Sequence, residues 1–169
     1  MARCLIIAAG CRGLELTRAL RERGHAVRAT SRNAARAPEI QAAGAEPFIG
    51  DPDRVATIWP AFAQVGVTCV LLGSATGTPE ALQALHSTRL DMLMEKMIDT
   101  TSRGVVYEMT GTVDDAVLAG GAERVRWWCA RSLIPYALLD TPTEDHQTWT
   151  SAAADAVDGV LLARAQTPG

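Results

Sequence analysis

The 169 residues include a single lysine, Lys96, two tyrosines and two phenylalanines. The rest of the positive charge is arginine, and the net charge is −3. With no basic excess and no Lys/Arg tract, binding to nucleic acid phosphates is excluded as a main role. No apolar run reaches the length of a membrane span, and the run Leu5-Ile6-Ile7 is too short for a secretion signal. The four cysteines, Cys4, Cys11, Cys69 and Cys129, show neither Cys-x-x-Cys nor Cys/His metal spacing, so no metal site is expected. Cys4 and Cys69 sit within apolar runs, where a cysteine serves as a small hydrophobe. These features fit a reducing cytoplasm. Internal repeats, low-complexity segments and linkers are also missing. A single domain spanning 1–169 is therefore expected, large enough to bury roughly 70% of its unfolded surface without staples.

What is present is alternation. Apolar runs of five to seven residues alternate with helical patterns, the signature of βαβ units around a parallel sheet. The first strand is expected over Cys4–Ala8, followed by a helix over Gly13–Arg23 with Leu16, Ala19 and Leu20 on its inner face. Gly24 stops this helix, and Ala26–Thr30 forms the second strand. The third run, Glu46–Ile49, carries Pro47, which places it at a sheet edge. Asp51-Pro52 reads as a cap with proline at the first helical position. Val67–Leu72 is continuous enough in apolar residues for a central parallel strand. Thr78-Pro79 opens another helical stretch, whose second half repeats Leu90, Leu93, Met94, Met97 and Ile98 on one face. A fifth strand over Val105–Met109, a helix near Ala122–Arg131, a sixth strand over Ile134–Leu139 and a helix near Trp149–Arg164 complete the chain. The expected fold is α/β: a single-domain doubly wound Rossmann arrangement. Its six-stranded, mainly parallel sheet has the order 3-2-1-4-5-6 and helices on both faces.

The chemistry-bearing signal is Ala8-Ala9-Gly10-Cys11-Arg12-Gly13, an A-x-G-x-x-G version of the dinucleotide fingerprint. An apolar strand ends at its first position and an amphipathic helix opens at its last, as the fingerprint requires. Gly10 lets the backbone approach a pyrophosphate, and Gly13 lets the helix pack on the strand. The helix N-terminus supplies unpaired N–H groups and partial positive charge. Ala8 replaces the first glycine, which the turn tolerates if φ there is negative. About 20 residues on, the cofactor's 2′ group is read at the end of the second strand. There the sequence has Thr30-Ser31-Arg32-Asn33, with no carboxylate. Arg32 suits a 2′-phosphate, Ser31 and Asn33 can add hydrogen bonds, and Arg12 and Arg36 are further candidates for the same phosphate. NADP(H) is thus preferred over NAD(H).

The stretch from Gly10 to Arg32 resembles the start of extended and atypical short-chain dehydrogenase/reductases, including epimerase/dehydratase-like and NmrA-like NAD(P)-binding proteins. Gly44–Asp53 and Asp155-Ala156-Val157 are similar to later segments of the same family. The resemblance implies that Gly50, Asp51 and Pro52 lie beside the adenine. It also implies that Gly73, Ser74 and Ala75 follow the ribose and nicotinamide side. Together with Gly10, Cys11, Arg12, Gly13 and Leu14 in the loop and Ser31, Arg32 and Asn33 after the second strand, these form the expected cofactor-binding set. The family's Tyr-x-x-x-Lys is absent: Gly111 stands four residues after Tyr107, Asp140 four after Tyr136, and Lys96 precedes the fifth strand. Where the family often has Ser/Thr after that strand stand Glu108, Met109 and Thr110. No catalytic residue is assigned.

Ligands of open α/β sheets bind beyond the carboxyl ends of the strands. The polar residues expected there are Ser74, Thr76, Thr110, Thr112, Asp140, Thr141, Glu144, Asp145 and His146. His146, in a plausible lid over Thr141–His146, reads first as a solvated surface histidine, and His25 reads as structural. Cys11, near the pyrophosphate, reads as a tolerated small residue rather than a redox group. Trp59, Trp127, Trp128 and Trp149 read as core or interface. The adjacent pair Trp127-Trp128 cannot both face one core, so one is a candidate homodimer contact. Three roles follow. The first is a small NADPH-dependent oxidoreductase acting on a small molecule that needs little acid–base help. The second is a non-catalytic NADP(H) sensor of the NmrA-like kind. The third is a ligand-free scaffold, which Gly10, Gly13 and Arg32 argue against.

Overall fold

The computed structural model describes residues 1–166, except for the side chains of 164–166. Its strands are β1 (Arg3–Ile7), β2 (Ala26–Ser31), β3 (Glu46–Ile49), β4 (Val67–Val70), β5 (Val105–Glu108) and β6 (Tyr136–Leu139). Its helices are α1 (Cys11–Glu22), α2 (Ala37–Ala42), α3 (Val55–Ile58), α4 (Pro79–Leu85), α5 (Thr88–Ile98), α6 (Asp115–Ser132) and α7 (His146–Gln166). The strands form one sheet in the order β3-β2-β1-β4-β5-β6, and all five pairings are parallel.

Alternation along each strand feeds two apolar layers. In β1, Cys4 and Ile6 enter the layer beneath α1, α2 and α7, while Leu5 and Ile7 enter the layer beneath α3 to α6. The first layer is sealed by Leu16 and Leu20 of α1, Ile40 of α2, and Trp149 and Val157 of α7, and the second by Phe62, Leu90, Met94, Val125 and their neighbours. Pro47 pairs only with Ala29, on the inner side of β3, so the edge position expected from proline is the one adopted. Burial pushes the Cys4 thiol up to about 12, as suits a small core hydrophobe.

Local differences from the expected elements have local causes. Asp51-Pro52 does not open a helix. Asp51 Oδ1 instead accepts from the Asp53 N–H at 2.9 Å in a turn of its own, and α3 starts at Val55. Thr78-Pro79 does open α4, with the Thr78 hydroxyl accepting from the Ala81 N–H at 3.1 Å. Helix α6 starts seven residues before Ala122, capped by Asp114. Gly120-Gly121 hides this first half in the sequence, since paired glycines read as a break. Packing requires the second glycine, because a Cβ on Gly121 would lie 1.9 Å from the Tyr107 hydroxyl. Strand β6 begins after Pro135, which has no N–H to give the ladder, rather than at Ile134.

Candidate functional site

The strand order reverses at β1, so the β1–α1 loop and the β4 loop diverge and leave a crevice above the sheet. The crevice has a volume of about 490 Å³. It runs from Ser31, Arg32 and Asn33 beyond β2, across Gly10 to Gly13, to Ser74 and Glu108 beyond β4 and β5. Gly50, Asp51 and Pro52 line it beside the β2 end, and Ala75, Thr76 and Leu85 line the other. Of the residues expected from the sequence, Leu14 and Gly73 are not on the wall, since both are buried behind it.

The loop at the centre fits a pyrophosphate. No side chain caps α1, so the N–H groups of its first turn have no acceptor of their own. Space around Gly10 is open, with nothing within 4 Å of where a Cβ would stand. Gly13 is in close contact, with its hypothetical Cβ 3.3 Å from Ala9 Cβ and 3.4 Å from Ile6 Cγ2. Ala8 departs from expectation. Its φ is +63°, so the turn has the left-handed conformation that glycine supplies without strain. The loop holds it there: Ala8 N–H donates to Thr30 Oγ1 at 3.0 Å, and its carbonyl accepts from the Gly10 N–H at 2.9 Å. Cys11 is exposed at the loop.

At the β2 end, Arg32 is exposed. Ser31 Oγ accepts from the Asn33 N–H, and Asn33 Oδ1 accepts from the Ala35 N–H, so these side chains shape the turn first. The Arg36 guanidinium donates to the Ala9 carbonyl and pairs with Glu39, tying this end to the glycine loop. Arg12 does not join them. Its side chain extends across β1 the other way, donating to Ser74 Oγ at 3.2 Å and to Glu108 Oε2 at 2.9 Å. Arg12, one of the further candidates for the 2′-phosphate, therefore stands at the opposite end of the crevice from Arg32. The cause is the fully buried Glu108 carboxylate, which attracts the nearest cation.

Sequence reasoning passed over Glu108 as a mere departure from the family pattern. In the structure it is the hub of the β4–β5 end. Its Oε1 accepts from the Gly73 N–H at 2.8 Å while Oε2 holds Arg12. Burial raises its pKa, and Arg12 and the Gly73 N–H only partly offset this. The Arg12 guanidinium also lies 5.2 Å from the centroid of the Trp149 ring, which fixes α7 against the site. Behind this lies a second buried unit. His86 Nε2 faces the Leu72 carbonyl at 3.0 Å and must therefore carry the proton, which leaves Nδ1 to accept from the Tyr107 hydroxyl at 2.6 Å. Burial lowers the His86 pKa, consistent with this neutral ring. The two loops are also interlocked through backbone, since a Cβ on Gly73 would lie 2.0 Å from the Thr110 carbonyl oxygen. The signal for Glu108 was present in the sequence: a carboxylate closing an otherwise apolar strand, which burial forces to find a partner.

Of the other candidates, His146 lies on the crevice wall and the rest are more peripheral. His146 is exposed, with Nδ1 3.3 Å from Glu15 Oε1. In its segment, Asp145 caps α7 by accepting from the Gln147 and Thr148 N–H groups, and Thr141 takes a hydrogen bond from Thr110. Asp140, Glu144 and Thr112 are exposed. His25 is structural, as expected, bonded to Asp158 and to the N–H of Ala2. Trp149 is core, while Trp127 is 55% exposed and Trp128 donates to Asp91.

Residues 8–137 match the model of a family described as NAD(P)H-binding. Among solved structures, a candidate NAD-dependent epimerase/dehydratase from Bacillus halodurans is similar, at 19% identity and TM-score 0.69 over 84% of this chain and 71% of that one. A short-chain dehydrogenase/reductase superfamily protein from Agrobacterium tumefaciens with bound NAD aligns at 14% identity and TM-score 0.65, over 99% of this chain and 63% of that one. The Citrobacter triphenylmethane reductase complexed with NADP(H) aligns at 18% identity and TM-score 0.61, over 80% of this chain and 48% of that one. At these identities the likeness shows the fold, and several of these proteins extend well beyond the matched part. No curated protein matches. Among the described residues, no helix is long and apolar enough to cross a membrane. With the family model spanning most of the sequence and both fingerprint glycines at the crevice, the chain belongs to the NAD(P)H-binding family.

Proposed function

We propose that this chain is a single NADP(H)-binding domain that works as a small oxidoreductase. The observation that carries the cofactor preference is the β2 end of the crevice. Exposed Arg32 stands beside Ser31 there, no carboxylate ends β2, and Arg36 braces the turn from Ala9. A ribose hydroxyl is read best by a carboxylate and a 2′-phosphate by a guanidinium; the residue after β2 is the guanidinium, and the Asp51 and Asp53 carboxylates line the wall beside it. The N–H groups of the first turn of α1 face the pyrophosphate, and Gly10 gives the backbone access to it. Gly50 to Pro52 flank the adenine, and Ser74 and Ala75 flank the other half of the dinucleotide. When bound, such a cofactor supplies a hydride. The chain's own part is to bind, orient and exclude water.

The test is titration calorimetry of NADPH, NADP+, NADH and NAD+ with wild type and Arg32→Ala. The substitution is expected to weaken the phosphorylated forms roughly thirtyfold, as for loss of a charge-assisted pair, and to leave the others nearly unchanged. Absence of binding by all four sinks the proposal. The missing Tyr-x-x-x-Lys favours one second reading, a non-catalytic NADP(H)-sensing module. NADPH oxidation with carbonyl and quinone acceptors supports the enzyme, and its absence in protein that binds NADPH supports the sensor.

A further inference from the structure

The hydrogen bonds at the β4–β5 end leave the Ser74 hydroxyl free to act only as a donor. Ser74 Oγ accepts from Arg12 at 3.2 Å and from the Thr112 N–H at 3.3 Å. A serine oxygen has two acceptor positions and one donor. Both acceptor positions are taken, by donors that cannot reverse direction. The O–H is all that remains, and no acceptor among the described residues takes it. Ser74 is half-buried and on the crevice wall. Of the other hydroxyls nearby, Thr110 gives its proton to the Thr141 carbonyl at 2.8 Å, and Thr76, also on the crevice wall, has no donor on its oxygen among the described residues to confine it to donating.

We propose that Ser74 is the hydrogen-bond donor to a substrate oxygen, in a subsite for carbonyl- or quinone-type acceptors at the β4–β5 end of the crevice. This rests on the cofactor reading above, which places the adenosine at the Arg32 end and leaves this end for the reacting half. Two N–H donors on Ser74 Oγ, one of them a guanidinium, withdraw electron density and make its O–H a stronger donor. Glu108, buried behind Arg12, holds that guanidinium on Ser74 instead of letting it swing out to the ligand. In a reduction, a bound dihydronicotinamide would supply the hydride that forms the C–H bond at the carbonyl carbon. The C=O π electrons move onto oxygen, the Ser74 O–H holds the resulting negative charge, and a proton from water completes the alcohol. Such a donor acts mainly on charge that develops during reaction.

A phenolate mimics that oxygen without reaction, so the probe is 4-nitrophenol, whose ionised form absorbs in the visible. It is titrated into the NADP+ complex of wild type, Ser74→Ala and Ser74→Thr, with NADP+ affinity measured in parallel. Wild type should bind the ionised form preferentially. In protein saturated with NADP+, Ser74→Ala should weaken it about tenfold or more, a larger loss than that of NADP+ itself, and Ser74→Thr should restore most of it. Equal affinity in Ser74→Ala, or parallel loss of NADP+ binding, overturns the donor role. No 4-nitrophenolate binding by wild-type protein that holds NADP+ overturns the subsite and leaves the cofactor reading standing. Failure of the wild type to bind NADP+ overturns both.

Discussion

At the β2 end of the crevice Arg32 and Asn33 are exposed, and the groups there are shaped by near neighbours, as where Asn33 caps its own turn and buried Ser31 accepts from Asn33. At the β4–β5 end Glu108 is buried, Arg12 and Ser74 are half-buried, and they are held across the fold, as where Arg12 reaches a carboxylate 96 residues away. The first end can read different ligands at little structural cost, because solvent already solvates its arginine. The second is preorganised: Glu108, Arg12, Ser74 and Gly73 fix one another before any ligand arrives. Preorganised donors in a dry site are what stabilise charge during a reaction, while an exposed cation mainly selects the ligand.

The sharpest break in that comparison is a methyl group added at each end. A Cβ on Gly73 would lie 2.0 Å from a backbone oxygen that cannot retreat without opening the β5 loop. Gly73→Ala should destabilise the protein by about 3 kcal/mol, seen as a lower urea midpoint. Gly10→Ala, with open space around it, should cost less than about 1 kcal/mol and lose cofactor affinity instead. Equal stability losses at the two glycines would erase the distinction between the ends.

Glu108→Ala is the next largest. It leaves the buried Gly73 N–H unpaired and frees Arg12, which should cost about 2 kcal/mol in urea unfolding. The effect carries a pH signature. The Glu108 pKa is raised in the folded protein, chiefly by burial, so the folded state binds the proton more tightly than the unfolded chain. The stabilisation from this group is therefore complete below the ordinary carboxylate value and is lost as pH rises through the raised one. Wild-type stability should fall across that window, and the alanine variant should lack this fall. An unchanged pH slope would mean that Glu108 is not the group titrating.

The same division explains what was legible in the sequence. Strand order, the glycine turn, the edge proline and the place of Arg32 on the crevice wall were readable because each rests on local pattern: period, turn chemistry or distance along the chain. The place of Arg12 was not legible, and Glu108 and His86 were passed over, because their partners are chosen in three dimensions. Nothing near Arg12 in sequence says that its nearest carboxylate closes β5. His86 lies where a helical stretch divides into α4 and α5, and only its contact with Tyr107 reveals its task. The Asp51-Pro52 error differs in kind, since an Asx turn and a helix cap begin with the same residues.

The smallest expected effect lies at Ala8, where the two halves of the crevice meet. A left-handed φ costs an alanine about 1 kcal/mol relative to glycine. Leu133 has the same conformation, φ +55°, at the end of α6, far from the crevice and 83% exposed. Leu133→Gly should therefore recover most of that strain, less the flexibility a glycine adds to the unfolded chain. Ala8→Gly should recover less, because the Ala8 methyl packs against the apolar layer beneath α3 to α6 and burying a methyl contributes up to about 0.8 kcal/mol. The expected gains in thermal midpoint are about 2 °C for Leu133→Gly and about 1 °C or less for Ala8→Gly. A larger gain at Ala8 would show that the loop is held under strain by its hydrogen bonds to Thr30 and Gly10 and that the methyl contributes nothing. A loss would show that packing, not backbone freedom, selects alanine there. Calorimetry of NADPH binding to Ala8→Gly then separates stability from function: equal affinity in the two proteins means that the alanine turn already presents α1 to the phosphates as a glycine turn would.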